Sequence, residues 1–292
     1  MEFTKIQGAG NDFILVEPKN IDLDWPNLAV TMCHRHFGVG GDGILLVLPT
    51  DRADIRMRIF NADGSEAEAC GNGLRCVVKY AVENNLIKES AEGISIETIV
   101  GIRQAKVERK NGKLTSIQVA MGNPKFLAEE IPVAIRPTKE KPIDIIPLLS
   151  YPVTVLGRTM RLYFVNMGNP HAVFFTQDDV DKFPLAQIGP EVEHDKIFPN
   201  RVNFEVANVI GGEEIKARVW ERGAGETLAC GTGACAITVA ARLLGYTGEK
   251  VDIKLPGGTL NLEWDGEHEV MLGGPTEIVF TGTWPEKADI RC

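Results

Sequence analysis

Two short stretches decide the fold: Cys70-Gly71-Asn72-Gly73 and, much later, Cys230-Gly231-Thr232-Gly233. Each cysteine is preceded by alanine and, four residues back, by glutamate (Glu66 and Glu226), and each is followed by an apolar helical pattern. Working outward, Gly10-Asn11 has a counterpart in Gly168-Asn169 at nearly the same offset. Downstream, Asn111-Gly112 and Asp265-Gly266 each lie between alternating segments, a hairpin signal. Each of these regions then ends alike, in Met121-Gly122-Asn123-Pro124 and Leu272-Gly273-Gly274-Pro275. Four landmarks recurring in one order indicate an internal duplication, which sets the architecture.

The post-cysteine helices are expected to be buried. From Ala234 to Leu244 only Thr238 and Arg242 interrupt the apolar run, and a helix apolar all round is covered all round. From Leu74 to Val82, Arg75 and Lys79 fall four apart and join Glu83 in one narrow polar stripe. Period-two alternation predicts strands at 54–60, 94–100, 161–166, 202–210, 214–220 and 277–280. The expected fold is α+β, with two pseudo-symmetric halves. Each is a curled, mainly antiparallel sheet or barrel around one central helix, and the halves face each other across a cleft. The boundaries read as 1–130 for the first half and 151–275 for the second. The Pro- and Lys-rich 131–150 forms a linker, and a C-terminal strand at about 276–292 packs on the first half.

Composition narrows the function classes. A net charge of −9 argues against nucleic acid and anionic membrane surfaces as partners. The opening MEFTKIQGAG has neither a basic segment nor an apolar core, so the expectation is a cytoplasmic protein without a secretory leader. Six cysteines without a CxxC pair read as reduced thiols. Cys33-His34-Arg35-His36 lacks a second ligand pair with matching spacing, so no metal is expected. Gly38-Val39-Gly40-Gly41-Asp42-Gly43 matches GxGxxG, but a strand-like run follows it rather than a helix, and a dinucleotide site fails that test. Cys70 to Arg75 places the arginine one residue too close for a phosphate-cradling cysteine loop. No lysine stands out for a pyridoxal cofactor. No cofactor is expected.

The chemistry suggested by the pair is proton transfer on both sides of one carbon. Unpaired N–H groups at a helix start favour thiolate and can bind a carboxylate. Glycines let a ligand approach the backbone. One such start supplies a base and half an anion site. Two would supply a base on each face of an amino-acid α-carbon. Cys76 and Cys235, inside the helices, read as small buried hydrophobes, and Cys33 and Cys292 carry no motif.

The stretches Asn61-Ala62-Asp63-Gly64-Ser65 to Gly73, and Trp220-Glu221-Arg222-Gly223 to Gly233, resemble the two signatures of diaminopimelate epimerases. Gly8-Ala9-Gly10-Asn11-Asp12-Phe13 and Gly168-Asn169-Pro170-His171 match as well, and the likeness runs from residue 3 to about 280. The resemblance implies interconversion of LL- and meso-diaminopimelate, with Cys230 accepting and Cys70 donating a proton in the LL-to-meso direction. It implies that Gly71, Asn72, Gly231 and Thr232 hold the reacting carboxylate and that Asn11 and Asn169 position the reacting centre. Asn61, Asn203, Glu221 and Arg222 would bind the distal amino-carboxylate, and His171 and Glu221 would tune the thiols. It also carries the expectation of a homodimer. One departure stands out: many members have Gln where this chain has Gly43. Two other readings stay open, a proline or hydroxyproline racemase, whose substrate has no distal charged end, and a non-catalytic amino-acid-binding protein, which needs no paired thiols.

Overall fold

The computed structural model describes residues 1–18, 22–67, 70–88, 90, 93–135 and 148–285. The chain divides into two units, Met1–Ala120 with Gly273–Cys292, and Met121–Leu272.

The first unit begins with a hairpin. β1 (Glu2–Gly8) and β2 (Asn11–Val16) pair antiparallel around Ala9 and Gly10. Both turn residues have positive φ, 54° and 82°, the mirror-image turn that matches strand twist. α1 (Trp25–Cys33) follows, its first turn capped by the Asp24 side chain and entered by a proline. It carries the chain over so that β3 (Gly43–Leu48) joins β2 in parallel. Every residue of β3 is buried, as expected of a strand covered on both faces. β4 (Ile55–Asn61) runs back antiparallel, and β5 (Glu66–Ala67) is a short flap on it. α2 (Gly71–Glu83) is the second crossover, placing β6 (Ile94–Thr98) parallel to β4. β7 (Gly101–Lys110) and β8 (Lys113–Ala120) complete the meander, turning at Asn111-Gly112. The closing strand, β18 (Thr276–Thr283), pairs with β1. α2 packs against β18 and β1 at one end of this sheet and β8 at the other, so the sheet curls around it.

The second unit repeats that order. β9 (Ser150–Val155), β10 (Arg158–Asn166) and β11 (Pro170–Phe175) form an antiparallel meander. α3 (Leu185–Glu193) carries the chain to β12 (Asn203–Gly211), parallel to β11. β13 (Glu214–Glu221) returns antiparallel, with β14 (Gly225–Thr227) as its flap. α4 (Gly231–Leu243) then crosses to β15 (Lys250–Leu255), parallel to β13, and β16 (Gly258–Glu263) follows antiparallel. β17 (Met271–Gly273) comes next in the chain. α4 packs against β10, β11, β12, β15 and β16, and its residues 233–241 are all buried. Each unit is thus a mixed, mainly antiparallel sheet around one helix.

The duplication extends to side chains. Arg58 and Glu66 form a two-pronged fork between β4 and β5, and Arg218 and Glu226 form the same fork between β13 and β14. Two sequence expectations change. Arg75 does not join a polar stripe: it is fully buried, donating to Asn72 Oδ1 at 2.8 Å, while Lys79 and Glu83 pair at the surface. Asp265-Gly266 is not a tight hairpin turn. The tight turn lies at Pro256-Gly257, and the Asp265 carboxylate instead accepts from the backbone N–H groups of Glu267 and His268, organising the loop between β16 and β17. Most of the expected linker, residues 136–147, lies outside the described residues, as do Ala69 and Cys292. At its described ends, Ile131, Val133 and Leu149 belong to the core of the second unit.

Candidate active site

In the first unit, Cys70 is the N-cap of α2 and its sulfur accepts from the Gly73 N–H at 3.4 Å. The strand-to-helix turn is tightly packed there: a Cβ on Gly73 would stand 3.0 Å from Leu45 Cδ2. Asn11, at the start of β2, brings its Oδ1 within 3.6 Å of the Cys70 sulfur and 3.4 Å of Asn72 Nδ2. Its own Nδ2 is given to Asp42 at 2.6 Å. A carboxylate can only accept, so Asp42 fixes the Asn11 amide with its oxygen toward the thiol. Asp42 is itself held by Arg35, which also binds Asp12. Asn72 is buried and tied to Arg75, and Arg75 also reaches the Gly71 carbonyl at 3.4 Å. Asn61 is not hydrogen-bonded into this group: its Nδ2 donates to Ser65 within the turn that ends β4. Gly43 pairs with Asn61, and a Cβ on it would lie 2.6 Å from the Phe60 carbonyl oxygen. This backbone therefore leaves no room for a side chain at position 43.

In the second unit, Cys230 caps α4 and is 4 % exposed, with Thr232 Oγ1 3.5 Å from its sulfur. At Cys230 burial acts against the thiolate that a helix start favours. Burial pushes its thiol well above the ordinary value, and the carboxylates of Glu221 and Glu205 push the same way, against the Thr232 hydroxyl. The helix-start effect is smaller than the loss of solvation. Asn169 and His171 are joined, with Nε2 2.8 Å from Asn169 Oδ1. His171 Nδ1 in turn lies 2.7 Å from Glu205 Oε1, and both side chains are fully buried.

Glu221 and Arg222 sit at the turn that ends β13, beside Asn203 at the start of β12. Asn203 donates to the Pro170 carbonyl and accepts from the Arg222 N–H, each at 2.9 Å, stitching β11 to the end of β13. The Arg222 guanidinium reaches the Asn200 carbonyl at 3.0 Å. The Glu221 carboxylate accepts from the Thr227 hydroxyl. α3 holds this turn from behind: buried Glu193 accepts from Trp220 Nε1 at 2.8 Å and from the Gly223 N–H at 3.0 Å. Gly231 takes the first position of α4. Sequence reasoning missed Glu205, Glu193 and Asp42. Glu205 carried a signal, a carboxylate inside the apolar run Phe204 to Val206, but such a residue in an alternating strand reads as solvent-facing. Among the described residues, no group of three or more His, Cys, Asp or Glu is placed to hold a metal ion.

The structure resembles a probable proline racemase of Agrobacterium radiobacter, with a TM-score of 0.69 at 14% identity, covering 99% of this chain and 94% of that one. It also resembles a hydroxyproline epimerase of Agrobacterium vitis, with a TM-score of 0.66 at 15% identity, covering 97% and 91%. At such identity the likeness establishes the fold. Sequence is more specific. The diaminopimelate epimerase of Pelotomaculum thermopropionicum is 47% identical over 98% of this chain and 99% of its own. That of Moorella thermoacetica is 45% identical over the same shares. The pattern of the diaminopimelate epimerase family matches residues 3–127 and 163–278. On this evidence the chain belongs to the diaminopimelate epimerase family.

Proposed function

We propose that this protein interconverts LL- and meso-2,6-diaminopimelate, a step toward lysine and peptidoglycan cross-links, with Cys230 and Cys70 as its two bases. The observation that carries the reading is the duplicated helix-start cysteine, each followed by Gly-x-Gly. In the LL-to-meso direction the Cys230 thiolate takes the α-proton, so one C–H bond breaks and one S–H bond forms. Cys70 gives its proton to the opposite face, so one S–H bond breaks and one C–H bond forms. Between the two events the electron pair is spread into the α-carboxylate, where N–H donors at a helix start stabilise it.

Gly71, Asn72, Gly231 and Thr232 supply those donors. Asn11 and Asn169 position the reacting carbon. Arg222 grips the distal carboxylate, Glu221 its ammonium, and Asn61 and Asn203 complete that end. His171 and Glu221 set the charge around Cys230. Asn11 turns an acceptor oxygen toward the Cys70 thiol, which agrees with the donor role. The protein works in the cytoplasm as a homodimer, which equilibrium sedimentation tests.

The deciding experiment is incubation with LL-diaminopimelate in heavy water, with proline and hydroxyproline in parallel. The expected result is deuterium at the inverted α-carbon only, with no added pyridoxal phosphate or metal and no turnover of the cyclic amino acids. Turnover of proline without diaminopimelate, or binding without exchange, overturns the reading.

A further inference from the structure

The two repeats treat one buried position differently. Phe13 and Gly43 are partners in the parallel pair β2–β3, and His171 and Asn203 are partners in the parallel pair β11–β12. Two residues further along β3 stands Leu45, and two further along β12 stands Glu205. Packing confirms the correspondence: a Cβ on Gly73 would meet Leu45 at 3.0 Å, and one on Gly233 would meet Glu205 Oε1 at 2.9 Å. Where the first unit has a hydrocarbon pair, Phe13 and Leu45, the second has an imidazole and a carboxyl beside the thiol-bearing helix.

A buried carboxyl is costly unless paired. Here one oxygen meets His171, and Oε2 is buried with no hydrogen-bond partner among the described residues. So unfavourable a placement points to a task. The hydrogen bonds define it. Asn169 Oδ1 can only accept, so His171 Nε2 must carry a hydrogen. Nδ1 then either donates to a Glu205 carboxylate, making an imidazolium, or accepts from a Glu205 carboxylic acid. Both states contain the same number of protons, and in both the pair is neutral overall.

We propose that Glu205 is a positioning residue for the reaction: sharing one proton with His171, it keeps Nε2–H directed at Asn169 Oδ1 and so holds the Asn169 amide with its NH2 as the free end. This rests on the function proposed above. It gives the two equivalent asparagines opposite polarity. Asn11, its NH2 taken by Asp42, offers an oxygen to Cys70, whereas Asn169, its oxygen taken by His171, has N–H groups to offer. An acceptor suits a thiol that donates a proton, and a donor suits the side where negative charge gathers. The groups facing Glu205 are His171 on β11, Glu221 on β13 and Cys230 at the start of α4. Burial raises the Glu205 carboxyl, against His171 and the Ala172 backbone amide, which agrees with a shared proton.

The test uses Glu205→Leu, which installs the residue of the first repeat, and Glu205→Gln, whose amide can still donate to Nδ1. Imidazole 15N NMR of the unliganded protein, assigned with His171→Phe, reads the tautomer without any substrate. Steady-state kinetics in both directions reads the consequence. The expected result is a protonated Nε2 in wild type and Glu205→Gln, and its loss in Glu205→Leu. With it, kcat falls about 10- to 100-fold in Glu205→Leu, KM is little changed, and Glu205→Gln recovers most of the loss. The melting temperature of Glu205→Leu should equal or exceed that of wild type. An unprotonated Nε2 in wild type, or wild-type kcat in Glu205→Leu, overturns the proposal. If Glu205→Leu fails to fold, Glu205→Gln decides it: retained Nε2–H with kcat near wild type supports it, and a loss of both overturns it. An inactive wild type would sink the function proposed above while leaving the imidazole measurement standing.

Discussion

Trp220 occupies the space that a side chain at Gly189 would need: a Cβ there would stand 2.5 Å from the indole Cδ2. The contact matters because the indole Nε1 donates to Glu193, whose other oxygen takes the Gly223 N–H, and Glu221 and Arg222 lie between those anchors. Neither a helix backbone nor an indole ring can give way cheaply. Gly189→Ala should therefore destabilise the protein by about 1–3 kcal/mol and lower kcat/KM for diaminopimelate through KM more than kcat. Urea denaturation and steady-state kinetics check both. Wild-type values in both would show that α3 does not hold the distal turn.

How far the molecule could be read from its sequence differs by feature. The duplication was visible because chemistry pins Cys-Gly-x-Gly and Gly-Asn to particular turns, and turn geometry restricts residue choice strongly. The central helices were visible because both were apolar on nearly every side. α3 was not: LAQIGPEVE carries Gly189 and Pro190, both poor helix residues, and its stability comes from packing against β12, β13 and β14. Arg75 and Glu205 were misread or missed for one reason. Period tells which face a residue takes, but in a helix wrapped by a sheet, or a strand covered on both sides, every face is interior. The helix start at Cys230 was legible as well, but how deeply it is buried is a property of the assembled unit.

Thiol reactivity should follow burial. Cys33 is pushed up to about 12 by desolvation, and Cys76 and Cys230 are also driven up by burial. Cys235 is fully buried, whereas Cys70 is partly exposed. Among these five, iodoacetamide at pH 8 should modify Cys70 first and Cys230 far more slowly, with Cys33, Cys76 and Cys235 protected until unfolding. Peptide mapping over time gives the order. Faster labelling of Cys230 than of Cys70 would contradict the burial argument.

The Asp12 carboxyl gives a prediction for acid stability. Burial alone would raise it, but hydrogen bonds and charge from Arg35 and Lys5 outweigh that and bring it from 3.8 to about 2. Its folded pKa is the lower one, so the stability it contributes is present above pH 4 and lost as pH falls toward 2. Allowing for solvent around Arg35, the contribution is roughly 1 kcal/mol. Arg35→Met should flatten the decline of stability between pH 4 and 2 and lower stability at pH 7 by a similar amount. Chemical denaturation across that range measures it, and an unchanged slope would show that Lys5 alone holds Asp12.

The four helix cysteines separate chemistry from packing. Cys70 and Cys230 are N-caps, and Cys76 and Cys235 lie inside the same two helices, fully buried. If the caps are the two bases, Cys70→Ala and Cys230→Ala each lower kcat by roughly 10²–10⁴. Their stability should change less than their rate, because the contacts of the Cys70 sulfur with Asn11 and Gly73, at 3.6 and 3.4 Å, and of the Cys230 sulfur with Thr232, at 3.5 Å, are long. Cys76→Ala and Cys235→Ala do the reverse. Each removes one buried sulfur, about 1 kcal/mol of stability, and leaves kcat near wild type. The Cys76 sulfur lies 3.3 Å from the Cβ position of Gly8, so its loss leaves a gap between α2 and β1 rather than a chemical defect. A further distinction lies in isotope exchange. With only one base removed, the other can still take its proton from its own face. Cys70→Ala should therefore exchange the α-hydrogen of the LL isomer with heavy water through Cys230, without inverting it, and Cys230→Ala should do the same with the meso isomer through Cys70. NMR of the recovered substrate reads exchange, and chiral chromatography reads inversion. Equal losses of kcat across all four variants, or inversion near the wild-type rate in either cap variant, would contradict a two-base reaction on these residues.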